Sequence, residues 1–258
     1  MHPNHTLLAI DTTTSQLCVS LYHQYHLFQY CHPCEKYANA LTICVQKLLQ
    51  YAQIMRHQLT HIIVNTGPGP FTSLRVGIAS AQGLAHALNI PVCTITNSRI
   101  LAFSVEKIDT SGHIACLTDA KLGQVYFAVL QYQPHTLPTL VYPDVVLSPQ
   151  DLPSITPYTN LSRCGSGWQT YQEQFSPKWL RLRSAVNPLA TMPANTLFLP
   201  LQIASPSNPL PKGASIATVM LLMCLQPSVN NPILPTPSAQ ITPNYVRHQV
   251  AQKPKKST

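Results

Sequence analysis

Acidic residues are scarce in this 258-residue chain: eight Asp and Glu stand against 16 Lys and Arg, which leaves a formal net charge of +8. Catalysis by paired carboxylates therefore has few candidates, and Asp11 and Asp119 are the two that follow predicted strands. The excess of positive charge is compatible with RNA contact. Part of it lies in the last six residues, however, where lysines are also typical of a solubilising end.

Long apolar runs are also missing. The longest, Ile216 to Leu225, is far shorter than the roughly 20 residues that cross a bilayer. Met1 to Ile10 lacks the basic start and apolar stretch of an export signal. Eight cysteines, scattered singly apart from one pair, suit reduced thiols better than a disulfide framework. We therefore expect a soluble, cytoplasmic protein without membrane contact.

Several catalytic motifs are absent or incomplete. The chain has no full GxGxxG, no GxxxxGK[ST] and no GxSxG sequence. Cys31 and Cys34 form a CxxC pair, but no later strand opened by proline follows in the thioredoxin order. His57 and His61 are four residues apart, yet they span a helix end and a strand start and have no evident third ligand. The sequence thus favours neither dithiol nor zinc chemistry.

The stretch 61–95 has the clearest organisation. An apolar β-branched run at 62–64 predicts a strand, and the glycines and prolines at 67–70 end it. A helix with an apolar stripe at steps of 4 and 3 follows, and 92–95 predicts the next strand. The loop is either a tight turn or an anion site at the helix start with Arg75 nearby, and the spacing alone favours the turn.

The first hundred residues predict strand, strand, strand, helix, strand, helix and strand, which is a mixed sheet covered by helices. Asp11 ends the first strand and precedes a hydroxyl-rich turn that either holds a phosphate or is an ordinary Asx turn. The helix at 37–52 is amphipathic through Leu41, Val45 and Leu48.

A weak internal repeat predicts two lobes. LLAIDTTTSQLCVSLY and IACLTDAKLGQVYFAVLQ both place an aspartate after one strand and a turn before the next. We assign residues 1–103 to the first lobe, 104–225 to a partly irregular second lobe that is rich in proline at 187–212, and 226–258 to a linker and basic tail.

Four segments of the chain carry a recognisable pattern: AIDTTTSQLCVSLY, NTGPGPFTSLRVGIASAQGLAHALNIPV, TDAKLGQVYFAVL and PNYVR. In sequence and in order they resemble the TsaB (YeaZ) family, whose members serve in bacterial tRNA threonylcarbamoyladenosine biosynthesis. The resemblance is strongest over Leu7 to Phe103. Two features depart from the family: Tyr37 stands where a histidine is usual, and the proline content of 187–212 is unusually high.

The resemblance implies an α/β fold of the two-lobed ASKHA type (actin- and Hsp70-like, ribonuclease H-like), with mixed sheets and a reduced, Pro-rich second lobe. It also implies a non-catalytic scaffold subunit. In the related catalytic subunit TsaD, two metal-binding histidines follow the strand after the Gly-Pro-Gly helix, whereas Thr96 to Ala102 contains none. We therefore expect no metal and no intrinsic cofactor, with ATP bound only within a complex.

The implied partners are a TsaD-like catalytic subunit and a TsaE-like ATPase, with tRNA contacted through the complex. The sequence is compatible with either a monomer or a homodimer of the isolated chain. The alternative is a free-standing ASKHA-type enzyme, either a phosphotransferase or a glycoprotease-like peptidase. We expect a nucleotide or phosphate cleft formed by Asp11, Thr12, Thr13, Gly67, Gly69, Arg75 and Asp119. We expect a partner interface at Leu41, Val45, Leu48, Ala79, Gly83 and Ala87, although both helix stripes could simply cover their own sheet.

Overall fold

The first lobe is a mixed sheet with helices on both faces. The computed structural model describes residues 5–33, 37–105, 111–133, 136–184, 214–225 and 240–244, together with the backbone of 196–197, 201–202 and 235–236. The predicted order of seven elements is confirmed, and a short helix follows them. The elements are β1 (Thr6–Asp11), β2 (Gln16–His23), β3 (His26–Pro33), α1 (Tyr37–Tyr51), β4 (His61–Asn65), α2 (Phe71–Leu88), β5 (Val92–Ile95) and α3 (Asn97–Ser104).

The second lobe repeats this plan with shorter helices. Its elements are β6 (Gly112–Lys121), β7 (Gln124–Tyr132), β8 (Thr139–Leu147), β9 (Leu161–Cys164), α4 (Gly167–Thr170), α5 (Pro177–Leu180) and β10 (Arg183–Ser184). Single turns of 3₁₀ helix lie at 56–58, 149–151 and 172–174.

Strand order shows that the two lobes are related. The first sheet contains the order β3-β2-β1-β4-β5, and the second has the order β8-β7-β6-β9-β10. In both, the first three strands form antiparallel pairs and the last two are added in parallel. The two-lobed architecture predicted from the repeated hairpin is therefore confirmed.

The C-terminal part of the chain returns to the first lobe. Three short strands, β11 (Thr196–Leu197), β12 (Leu201–Gln202) and β13 (Pro235–Thr236), extend the first sheet, and α6 (Ile216–Cys224) precedes β13. The assignment of α6 to the second lobe is corrected here. Residues 217–223 of α6 are all buried, since this helix is wedged between the first sheet and α3. A helix that is apolar all round needs such enclosure on every side.

A buried polar cluster fixes the position of α6. The hydroxyl of Thr218 donates to Oε1 of Gln29 on β3 (2.6 Å) and lies 2.8 Å from the hydroxyl of Ser20 on β2. Ser215 caps α6 and accepts from the backbone N–H of Thr218. Because these polar groups satisfy one another inside an apolar layer, they set the register of the helix on the sheet.

Most of the predicted proline-rich region at 187–212 and the basic tail lie outside the described residues. Within the predicted linker, β13 and residues 240–244 pack on the first lobe instead of leaving it. Among the helices that are described, none combines the length and apolar character that a bilayer crossing requires.

Candidate functional site: the interlobe cleft

A cleft of about 900 Å³ lies between the lobes. The β1–β2 turn and the start of α2 form one wall, and the β6–β7 hairpin and the start of α4 form the other. Among the lining residues are Thr13, Gly69, Phe71, Asp119, Lys121 and Thr170. Three of the seven predicted cleft residues, Thr13, Gly69 and Asp119, are thus brought together here.

Asp11 lies behind the wall of the cleft and not in it. Its side chain is fully buried, and one carboxylate oxygen, Oδ1, accepts hydrogen bonds from the Thr13 hydroxyl (2.7 Å) and from Nδ2 of Asn65 (2.8 Å). Asn65 in turn accepts from the backbone N–H of Gly67 (2.9 Å). The prediction that Asp11 helps to form the cleft surface is therefore wrong, because its hydrogen bonds join β1, β4 and the Gly-Pro-Gly loop behind the wall.

Burial and hydrogen bonding act in opposite directions on the pKa of Asp11. Burial raises its pKa from 3.8 to about 6, although the hydrogen bonds from Thr13 and Asn65 oppose that rise. The other oxygen, Oδ2, has no hydrogen-bond partner among the described residues. The ionised form is thus disfavoured in the folded state, so the ionised carboxylate of Asp11 lowers the free energy of unfolding at neutral pH.

We predict that Asp11→Asn alters the pH dependence of stability. Because the folded pKa lies above the unfolded one, the stabilising effect of protonation is present below pH 3.8 and is lost as pH rises through about 6. Between pH 5 and pH 7 the free energy of unfolding of wild type should fall by about 1 kcal/mol relative to the variant. Urea unfolding at both pH values measures this difference.

Asp151→Asn is the matched control, since Asp151 is exposed. The substitution should change the free energy of unfolding by the same amount at pH 5 as at pH 7. An equal response of Asp11→Asn and Asp151→Asn would show that Asp11 titrates as an ordinary surface carboxylate.

The Gly-Pro-Gly loop is a tight turn packed on the β1–β2 hairpin. Gly67 has φ of +95°, which favours glycine, and a Cβ at Gly69 would lie 3.0 Å from the Cβ of Thr13. Thr12 and Gly67, two more of the predicted cleft residues, lie outside the lining, and Thr12 is buried against Gly77 of α2. The loop therefore makes the tight strand-to-helix turn that its glycines and prolines predict.

Arg75 does not point into the cleft. Its guanidinium lies over the ring of Phe71, 3.7 Å from the ring centre, and the residue is exposed outside the lining. This cation–π contact lies along the outside of the first turns of α2. Arg75, which the sequence predicts as a cleft residue, therefore lies outside the cleft lining.

Asp119 lines the cleft, but its own lobe already binds its carboxylate. Lys121 Nζ lies 2.7 Å from Oδ2, and the Tyr171 hydroxyl donates to Oδ1 at 2.8 Å. Although partial burial opposes the change, these hydrogen bonds lower the pKa of Asp119. Asp119, the one carboxylate among the described residues of the lining, is thus an ionised, internally paired group.

Asn244 and Asp144 form a contact between the lobes that the sequence did not predict. Asn244 lines the cleft, its backbone N–H donates to the carbonyl of Thr66 (2.8 Å), and its Nδ2 donates to Oδ2 of Asp144 on β8 (3.0 Å). Burial raises the pKa of Asp144 to about 6, against the hydrogen bonds from Ser98 and Asn244. The resemblance already drew attention to the PNYVR segment, but pattern alone could not place its partner 100 residues away.

The segment from Thr96 to Ala102, which would correspond to metal-binding histidines, follows β5 and forms the N-cap and first six residues of α3. Asn97 and Ser98 offer only amide and hydroxyl oxygens there, and Leu101 and Ala102 are buried apolar residues. Zinc and iron sites need imidazole, thiolate or carboxylate ligands. In the described ranges no three His, Cys, Asp or Glu residues are grouped as a metal site would require. These residues do not fit the metal.

The two predicted interface stripes differ in exposure. Leu41, Val45 and Leu48 of α1 are only 2%, 9% and 0% exposed, since they pack on the first sheet beside α2. Their assignment to a partner interface is wrong, because an amphipathic helix buries its apolar stripe against its own core. The small residues of α2 remain on the surface: Ala79, Gly83 and Ala87 are all exposed.

The two disfavoured motifs show no catalytic arrangement. Cys31 is buried inside β3 opposite Cys18 of β2 and does not begin a helix, and Cys34 lies outside the described residues. His57 lies in a 3₁₀ turn, and His61 begins β4 with its ring against that of His5. The histidine pair therefore does not share a helix face.

Comparison with known proteins identifies the family. Residues 34–166, just over half of the chain, match the family model described as TsaD: tRNA N6-adenosine threonylcarbamoyltransferase. The tRNA threonylcarbamoyladenosine biosynthesis protein TsaB of Buchnera aphidicola is 31% identical over 47% of this chain and 58% of that protein. The Haemophilus influenzae protein of the same name is 27% identical over 68% of this chain and 77% of its own length.

A solved structure supports the fold over nearly the whole chain. The crystal structure of a Pseudomonas aeruginosa protein, described as uncharacterized with similarity to peptidase YEAZ, aligns with a TM-score of 0.68 at 24% identity. The alignment covers 94% of this chain and 100% of that one, so the two-lobed ASKHA-like fold is shared. The matched part of this chain spans just over half the length of the Buchnera relative. The chain belongs to the TsaD-related family of threonylcarbamoyladenosine proteins, in its TsaB (YeaZ) branch.

Proposed function

We propose that this protein is a non-catalytic scaffold subunit in the synthesis of N6-threonylcarbamoyladenosine on tRNA, next to the anticodon. In this proposal it binds and supports a TsaD-like catalytic subunit and recruits a TsaE-like ATPase. Membership of the TsaB (YeaZ) family, with relatives named for tRNA threonylcarbamoyladenosine biosynthesis, supports the pathway.

The observation that best supports the scaffold role is that the charged side chains in and near the cleft contact other groups of this chain. Phosphoryl chemistry needs cations and a carboxylate–metal site arranged around the phosphates. Here Lys121 is paired with Asp119, Arg75 lies on Phe71 outside the lining, and Asp11 is sealed behind the wall. Among the described residues, the charged groups that a phosphate or a metal would need are therefore already engaged in contacts within the chain. In this proposal ATP is bound only within the complex.

The surface of α2 supports a docking role. Ala79, Gly83 and Ala87 are spaced by four residues on one exposed face, and a Cβ at Gly83 would meet nothing within 4 Å. Small side chains allow a second helix to approach closely by fitting its ridges into this groove. We propose this face, defined by these three residues, as the docking face for the TsaD-like subunit.

Reconstitution of the modification reaction tests the proposed function. Purified TsaD-like and TsaE-like proteins, ATP, threonine, bicarbonate, the enzyme that makes the threonylcarbamoyl donor and an unmodified tRNA transcript are combined with and without this chain. We expect modified adenosine, measured by mass spectrometry of digested tRNA, only when the chain is present. The isolated chain should turn over no ATP. Modification that proceeds equally without the chain, or ATP turnover by the chain alone, would contradict the scaffold role.

A further inference from the structure

A short segment of the second lobe alternates between anchoring and charged side chains. Trp179 is buried, and Leu180 and Leu182 are partly buried, all within the aromatic cluster on the second sheet. The intervening residues Lys178, Arg181 and Arg183 are exposed. Because the apolar side chains fix the backbone, the three cations are held on one short, ordered strip that ends at β10, the edge strand of the sheet.

The charge of this strip is not neutralised within the part of the chain that the structure describes. The one ion pair found there joins Lys121 and Asp119 on the β6–β7 hairpin and does not involve the strip. The exposed acidic residues in the same ranges are Asp151 and Glu173. Three cations within six residues repel one another, so such a strip is stabilised by an anion that spans more than one of them.

The side chains around the strip select the kind of anion. Gln169 and Gln172, which precede the strip in the chain, are exposed, and their side-chain amides can donate hydrogen bonds to phosphate oxygens. The aromatic rings of the segment, Trp168, Phe175 and Trp179, are buried and give no platform on which bases could stack. The leucines are partly buried in the same cluster, so little apolar surface is left to enter a membrane.

We propose that the strip Lys178, Arg181 and Arg183 binds the phosphate backbone of a folded RNA. The contact is with phosphates and not with base edges, so it positions the RNA without reading its sequence. Thr170 of α4 lines the cleft, and Trp168 of the same helix packs on Trp179 beside the strip, with ring centres 5.5 Å apart. The strip therefore lies on the lobe that forms one wall of the cleft. That the RNA is tRNA rests on the proposed function.

Fluorescence anisotropy with a labelled, unmodified tRNA transcript tests this site in the full chain. At ~50 mM salt the double variant Arg181→Gln/Arg183→Gln should raise the Kd by roughly 10- to 50-fold. The slope of log affinity against log salt should become shallower by about 2, one for each lost phosphate contact. The matched control is Lys47→Gln/Arg56→Gln, which removes two exposed cations from the first lobe and should change the Kd less than about twofold.

Three outcomes would overturn the proposal. Equal losses in the strip and control variants would mean that only net charge matters, and wild type that does not bind tRNA would remove the site altogether. Strip-dependent binding to phosphatidylglycerol vesicles, without strip-dependent binding to tRNA, would assign the strip to a membrane surface.

Co-elution separates this proposal from the proposed function. The strip variant should still co-elute with the TsaD-like subunit, because the docking face lies on α2. If wild type binds tRNA through the strip but neither co-elutes with the TsaD-like subunit nor supports modification, the scaffold role fails and the RNA site stands.

Discussion

Ala79→Arg should weaken binding of the TsaD-like subunit by roughly 100-fold or more, which corresponds to about 3 kcal/mol. Ala79 is exposed on the docking face of α2, so the substitution leaves the core of this chain unchanged. At a close helix–helix contact, however, the long side chain would hold the helices apart and bury an unpaired charge. Gly83→Arg, one turn further along, should act in the same way. Size-exclusion co-elution and calorimetric titration with the purified partner measure the loss.

Gln150→Arg is the matched control for these variants. It adds the same charge at an exposed position in the 3₁₀ turn of the second lobe, away from α2. Its affinity for the partner should equal that of wild type, and thermal unfolding of Ala79→Arg and Gln150→Arg should stay within about 0.5 kcal/mol of wild type. Gly83→Arg replaces a glycine inside α2, so it should raise the free energy of unfolding by up to about 1 kcal/mol. Full co-elution of Ala79→Arg and Gly83→Arg would exclude this face from the interface.

The parts of the fold that depend on local patterns could be predicted from the sequence. The apolar steps of α2, and Asn89 followed by Pro91, fix that helix and its end, and Asn89 indeed takes a left-handed conformation there. The repeated aspartate-and-turn hairpin likewise predicted two related sheets. What a helical pattern does not state is which stripe meets the chain's own sheet. The larger stripe of Leu41, Val45 and Leu48 does so, and only the small-residue stripe of α2 remains outside.

The cleft could be predicted only in part, because its wall is made by long-range contacts. The sequence showed Asp11 at the end of a strand, but its burial depends on Asn65, 54 residues away, whose amide faces Asp11 only after β1 and β4 pair. The bond between Asn244 and Asp144 depends similarly on a return of the chain that no local pattern encodes. The assignment of α6 to the second lobe was wrong for the same reason: this helix follows the second lobe in the sequence but packs on the first sheet.

Gly165→Ala should lower the free energy of unfolding by about 3 kcal/mol or more. Gly165 follows β9 with φ of +103°, a conformation that a side chain rarely adopts. An added Cβ would also collide with the carbonyl oxygen of Leu117 and lie 3.0 Å from its carbonyl carbon. That backbone belongs to β6, the central strand of the second sheet, so it cannot move aside without disturbing the pairing with β7 and β9.

Gly123→Ala separates the two causes of this loss. Gly123 has φ of +74° but faces open space, so its substitution should cost only about 1–2 kcal/mol, the strain of the left-handed conformation. Urea unfolding of both variants gives the difference, which is the cost of the contact with β6. Gly165 is followed directly by Ser166, which lines the cleft and precedes α4. The close packing of Gly165 on Leu117 should therefore also fix the position of α4 at the cleft wall. If the two variants lose equal stability, the approach of Gly165 to Leu117 does not govern the position of α4.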